Sequence, residues 1–163
     1  LKKEFNSLFE PLLKNIELIP KVFIHRDYHV DNLFYLKERS EHFKCGWIDY
    51  QDALIGPCVY DLVSLTQDAR IDVSIEIEKH LVNTYLSNFN FIDKSLFDLC
   101  YKIVAIQRHL KVLGIFKRLF LRDKKKIYLN HIPRVISLLD KNFKDEKFKE
   151  IVRLIQPIIK NYD

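Results

Sequence analysis

The chain has 163 residues, 48% hydrophobic and 13% aromatic, enough to bury one core of ordinary domain size and too apolar for general disorder. Lys and Arg number 27 against 22 Asp and Glu. The two signs balance at 17 each as far as Asp123, so the basic excess belongs to the last forty residues. Three cysteines, Cys45, Cys58 and Cys100, lie far apart without a CxxC pair, which excludes a disulfide framework and a zinc ribbon and fits a reducing, cytoplasmic setting. The uncharged stretch Ala53 to Tyr60 is far shorter than the ~20 apolar residues of a membrane span, and no signal peptide opens the chain, so no membrane partner is expected. The absence of Met and the start at Leu1 give the expectation of a fragment.

In chain order, Phe5, Leu8, Phe9, Leu12 and Leu13 repeat at a helical period from Leu1 to about Asn15, with Pro11 expected to limit or kink the helix and Pro20 to stop it. Val22-Phe23-Ile24, Leu33 to Leu36 and Cys45 to Ile48 are short runs rich in β-branched and aromatic residues, read as three strands. From Val59 the pattern is helical, over about 59–69, 73–88, 95–122, 130–142 and 145–160. Breaks are expected at Asn88-Phe89-Asn90, Lys124-Lys125-Lys126 and Pro133. The expected fold class is α+β and mainly helical, one unit in which short strands and loops (1–58) precede a helical bundle (59–163).

Seven aspartates, Asp27, Asp31, Asp49, Asp52, Asp61, Asp68 and Asp72, fall within 46 residues, and the first four sit beside strands rather than on a helix face. The segment His25-Arg26-Asp27-Tyr28-His29-Val30-Asp31-Asn32 sets an Asp and an Asn five residues apart between two strands, and Asp49 follows at the end of the next strand. Transfer of a phosphoryl group from ATP needs a carboxylate to take the proton of the attacking hydroxyl, and oxygen ligands for the Mg²⁺ that neutralises phosphate charge. Asp27, Asn32 and Asp49 supply that set. Kinases order it as H-x-D-x-x-x-x-N followed by a second Asp at a strand end, which His25, Asp27, Asn32 and Asp49 match.

On these residues the chain resembles the aminoglycoside phosphotransferase and choline kinase superfamily, small-molecule relatives of protein kinases. His29 stands where protein kinases place a Lys, and Asp49-Tyr50-Gln51 replaces D-F-G. Within that superfamily, HRDYHVDNLFYL and WIDYQDALIGPCVYDLVSLTQDAR, between Val22 and Arg70, look like the bacterial kinases that phosphorylate N-acetylmuramate and N-acetylglucosamine for cell-wall recycling. The resemblance implies a protein-kinase-like C-terminal lobe, ATP as co-substrate and Mg²⁺ as cofactor. It implies Asp27 as catalytic base, His25 as organiser of the loop, Asn32 and Asp49 as metal and nucleotide ligands, and Asp61 as a structural acceptor for backbone N–H groups of the catalytic loop. His29, Gln51 and Asp52 are candidates for the sugar hydroxyls.

No G-x-G-x-x-G or V-A-I-K motif occurs, so the N-terminal nucleotide lobe is expected to be absent and the isolated chain feeble or inactive. Other readings stay open: an aminoglycoside or choline acceptor, or a non-catalytic remnant lobe that binds a partner. A zinc or manganese hydrolase built on His25, Asp27, His29 and Asp49 leaves Asn32 without a purpose. Asp68 and Asp72 read as structural or solvated. Lys111, Arg118, Arg122 and Lys125, within the basic run from Arg108 to Lys126, fall on one helical stripe. That stripe reads as a solvated face rather than a nucleic-acid site, opposite the apolar Leu110, Leu113, Phe116, Leu119 and Phe120.

Overall fold

A computed structural model describes residues 1–89 and 92–159. The first helix, α1 (Lys2–Ile16), buries Phe9, with Phe5 stacked on it at 5.2 Å. Pro11 does not end this helix, which continues to Ile16. Pro11 and Ser7, whose carbonyl loses its intrahelical partner, both lie on the exposed face, where water can serve that carbonyl.

Four strands follow rather than three, and they form two separate antiparallel pairs. β1 (Lys21–Ile24) pairs with β4 (Leu54–Pro57), and β2 (Leu33–Tyr35) with β3 (Cys45–Trp47). The fourth strand lies where Gly56 and Pro57 argue for a turn. Pro57 is tolerated because it is the last residue of a strand in a two-stranded ribbon, where every strand is an edge. Gly56 is required because a Cβ there would collide with Cδ1 of the buried Ile24. Leu36 and Ile48, expected inside strands, fall just beyond them.

The helical part comprises α2 (Tyr60–Thr66), α3 (Ile75–Leu86), α4 (Lys94–Asp123), α5 (Ile132–Asn142) and α6 (Lys149–Ile159). Ser74 and Asp93 cap α3 and α4 by accepting from Ile77 N and Leu96 N. At the lysine run α4 ends with Lys124 in the left-handed conformation (φ 55°), its N–H on Phe120 O and that of Lys125 on Leu119 O. Pro133 lies in the first turn of α5 and so helps to start a helix rather than break one. The segments expected as helix at 130–131 and 146–148 are 3₁₀ turns, Lys126–His131 and Glu146–Phe148. Position 160 of the last expected helix, and Asn90 of the expected break, lie outside the described residues.

The thirty-residue α4 is the spine of the bundle. Its Phe97, Cys100, Tyr101 and Val104 pack with Val59, Leu62 and Val63 around α2. Its Ile103, Ile106, Leu113 and Phe116 pack with Phe9 of α1, Val135 and Leu139 of α5, and Ile151 and Ile155 of α6. Each fully buried aliphatic or aromatic side chain contributes roughly 1.5–3 kcal/mol relative to exposure. The strands and their loops are thereby carried on a packed helical base.

Candidate active site

β1 delivers the buried Ile24 and then His25, after which Arg26 turns the chain with φ 73°. A left-handed residue with a Cβ costs about 1–2 kcal/mol, so something must hold it. Asp61, in the first turn of α2, accepts from both peptide groups at the bend, His25 N at 2.6 Å and Arg26 N at 3.0 Å. Arg108 of α4 donates to Arg26 O at 3.2 Å and to Ser64 Oγ, with its guanidinium 5.2 Å from the centre of the Tyr60 ring. Two helices thus clamp the residue before Asp27.

His25 is 1% exposed, and its Nε2 donates to Ile48 O at 2.8 Å, while Tyr28 and Trp47 meet its ring edge to face. This bond joins the Asp27 loop to the strand end that carries Asp49. A 3₁₀ turn at Val30–Asn32 brings Asn32 back beneath the loop, where its Nδ2 donates to Asp27 O at 3.0 Å and its own carbonyl accepts from Ile48 N at 3.1 Å. Asp49 has φ 62°, a conformation that Asp tolerates better than most residues, and its Oδ1 accepts from Gln51 Nε2 at 2.8 Å. Asn32 Oδ1 and Asp49 Oδ2 have no partner among the described residues, so each side chain keeps one oxygen available.

Asp27 is half exposed, and its Oδ2 lies 3.5 Å from His29 Nε2. His29 is largely buried, with Nδ1 3.5 Å from Asp31 Oδ2. Asp27 and His29 open onto a cleft of about 120 Å³ whose far wall comes from the end of α2 and from α4: Ser64, Gln67, Asp68, Arg70, Arg108, His109 and Lys111. Gln51 and Asp52 do not line it. Gln51 is engaged with Asp49, and Asp52 is exposed, with its carbonyl accepting from Arg26 Nη1 at 3.1 Å. A cavity of about 730 Å³ lies between α1 and α4 and is lined by neither Asp27, Asn32 nor Asp49.

Behind the cleft runs a buried polar network. Gln67 Oε1 accepts from His109 Nε2 at 2.9 Å and Asn142 Nδ2 at 2.8 Å, and Gln67 Nε2 donates to Glu78 Oε1 at 2.9 Å. Glu78 also accepts from Tyr101 at 3.1 Å and pairs with Lys141. Burial, with the Arg108 and Lys141 cations adding to it, pushes the His109 pKa down to about 3. The ring is therefore neutral at physiological pH, and Nε2 carries its proton toward Gln67.

Sequence reasoning gave this far wall no part in the site, reading Asp68 as structural or solvated and Arg108 and Lys111 as members of a solvated basic run. The available signal was Ser64, Thr66, Gln67 and Asp68, polar residues in the buried stretch of α2 and the turn after it. Arg108, assigned with the basic run, is engaged at the Asp27 loop, whereas Arg118 and Arg122 are solvated, and Arg122 pairs with its neighbour Asp123. Asp68 holds Arg70 N at 2.6 Å, and the exposed Asp72 pairs with Arg134.

Residues 2–93, which contain the whole Asp27 loop, Asp49 and Asp61, match the profile of the phosphotransferase enzyme family, APH. The chain belongs to this family. As an APH chain it is 36% identical over 148 residues to an N-acetylmuramate/N-acetylglucosamine kinase of Caulobacter vibrioides, covering 91% of the chain and 41% of that protein. A protein of the same name from Neisseria meningitidis is 41% identical over 140 residues, covering 82% of the chain and 39% of the relative. Another from Pseudomonas aeruginosa is 36% identical over 127 residues, covering 74% and 36%. The APH chain thus spans about two fifths of the length of these curated relatives. Its α+β, mainly helical fold agrees with the class expected from its pattern. Among the described residues, no helix is long and apolar enough to cross a membrane, and Cys45, Cys58 and Cys100 are free thiols.

Proposed function

We propose that this APH chain is the catalytic and acceptor-binding lobe of an ATP-dependent kinase whose acceptor is an amino sugar of the N-acetylmuramate or N-acetylglucosamine type. The nucleotide's base and inner phosphates would be held by a lobe outside these residues. The observation that carries the reading is the convergence of Asp27, Asn32 and Asp49 through the Asn32–Asp27, Ile48–Asn32 and His25–Ile48 bonds, with one oxygen of Asn32 and one of Asp49 left free. Those two oxygens suit Mg²⁺, which keeps several waters and takes one or two protein ligands together with substrate phosphates. When bound, the ion would neutralise charge on the phosphates.

Asp27 would accept the proton of the sugar hydroxyl as that oxygen bonds to the γ-phosphorus and the bond from phosphorus to the β,γ-bridging oxygen breaks, releasing ADP. Its half-exposed carboxylate lines the cleft, where it can reach an incoming hydroxyl, and His29 Nε2 lies 3.5 Å from its Oδ2. The clamp on Arg26 and the Asn32 bond to Asp27 O hold the base in place before substrate arrives, which is where most of the rate advantage in such transfers resides.

The test is Asp27→Asn in the full-length natural protein, assayed with Mg-ATP and both sugars. Loss of the base should lower kcat about 10²- to 10⁴-fold with little change in ATP affinity. Turnover equal to that of the unmodified protein would refute the assignment.

A further inference from the structure

We propose that Arg70 and Lys111 form an anion-recognising rim on the Asp27 cleft and set a preference for acceptor sugars that carry a carboxylate. The inference rests on the kinase reading above and adds to it the residues that choose the acceptor.

Four cations line the cleft, Arg26, Arg70, Arg108 and Lys111. Two of them are already committed. Arg108 spends its guanidinium on Arg26 O, Ser64 and the Tyr60 ring, and Arg26 donates to Asp52 O. The side chains of Arg70 and Lys111 have no hydrogen bond or ion pair among the described residues, and both residues are exposed. The nearest acidic neighbour in sequence does not neutralise them, because the Asp68 carboxylate accepts the backbone N–H groups of Arg70 at 2.6 Å and Ile71 at 3.3 Å. Elsewhere on the same bundle, Lys102, Arg134 and Lys141 each meet a carboxylate. The cleft therefore has positive charge to spare.

Arg70 and Lys111 share the cleft with Asp27 and His29, whereas the two proposed metal ligands Asn32 and Asp49 do not line it. An acceptor whose hydroxyl approaches Asp27 would present its ring substituents to α4 and to the segment after α2. N-acetylmuramate and N-acetylglucosamine differ by one group, a lactyl ether bearing a carboxylate, and so form a matched pair for reading this rim.

The experiment measures kcat/KM for both sugars in the full-length natural protein and in Arg70→Gln, Lys111→Gln, the double variant and Lys111→Arg. Binding of each sugar is measured by calorimetry without ATP. A charge-assisted hydrogen bond at a partly screened site is worth about a tenfold effect. The ratio of kcat/KM for muramate to that for glucosamine should therefore fall about tenfold in the double variant, through KM, and stay near that of the unmodified protein in Lys111→Arg. An unchanged ratio, or equal losses for both sugars as expected of cations that serve the phosphoryl group, overturns the proposal. If the unmodified protein phosphorylates neither sugar, the kinase reading fails and calorimetry decides the rim alone. Muramate binding that exceeds glucosamine binding and depends on Arg70 and Lys111 upholds the rim, and equal or absent binding overturns it.

Discussion

Replacing Asp61 by Asn tests whether the Asp27 loop is held by α2. The carboxylate accepts two backbone N–H groups, from His25 at 2.6 Å and Arg26 at 3.0 Å. An amide retains one acceptor oxygen and turns its NH₂ toward the other N–H, so one charge-assisted bond is lost outright and the other is weakened. At about 1.5–3 kcal/mol for a hydrogen bond to a charged group, the combined loss is about 2–4 kcal/mol. Arg26, at φ 73°, then has less to hold it in a conformation that costs about 1–2 kcal/mol. At about 2–4 °C per kcal/mol for a domain of this size, the thermal midpoint should fall by about 5–15 °C. If the loop gives way locally instead, hydrogen exchange at the amides of Arg26 to His29 should accelerate well beyond that of α4. Thermal unfolding and hydrogen exchange on the full-length natural protein distinguish the two. A midpoint within about 2 °C of the unmodified protein, together with unchanged exchange in that loop, would refute the clamp.

Acid should destabilise the fold through His109. Its pKa is about 3 when folded against an ordinary value of 6.5. Between those values the unfolded chain binds a proton that the folded chain does not, so stability is complete above about pH 6.5 and is lost as pH falls toward 3. The contribution to the slope is at most about 1.4 kcal/mol per pH unit, and His109→Gln should flatten it in urea titrations at pH 7, 6 and 5. Identical slopes for the two proteins would show that another group governs the transition. Thiol chemistry should separate the cysteines: Cys45 is exposed, whereas Cys58 and Cys100 are buried and burial pushes each thiol up to about 11. Of these three, an aromatic disulfide reagent should label Cys45 alone until the protein unfolds. Prompt native labelling of Cys58 or Cys100 contradicts the packing around α2 and α4.

The parts of the site legible in the sequence are those whose chemistry is local. His25, Asp27 and Asn32 lie within eight residues, and their spacing alone puts a carboxylate and a carboxamide on one loop between strands. Asp49 follows the next strand, so its neighbourhood needed only a short return of the chain. The far wall had no comparable signature. Gln67, His109 and Asn142 come from the turn after α2, from α4 and from α5, and nothing in their spacing brings them together. Packing does, through the register of buried residues along α4. The fourth strand was hidden for a related reason: Gly56 and Pro57 are turn residues by propensity, and only the neighbouring Ile24 and the edge position of the ribbon make them compatible with β structure.

Arg26 and Arg108 show how the local and the distant parts depend on each other. Helical periodicity correctly places Arg108 on α4, and charge alone would leave it in water with Arg118 and Arg122. It is drawn inward because the left-handed turn at Arg26 points a carbonyl toward α4 while both N–H groups of the bend face Asp61 on α2. A peptide turned the other way would leave Asp61 and Arg108 without these partners in partly buried surroundings, which is costly for both charges. The strained turn and the two helices therefore select one another. The position of Asp27, one residue further on, is determined by side chains 34 and 81 residues away from it, as well as by the motif that contains it.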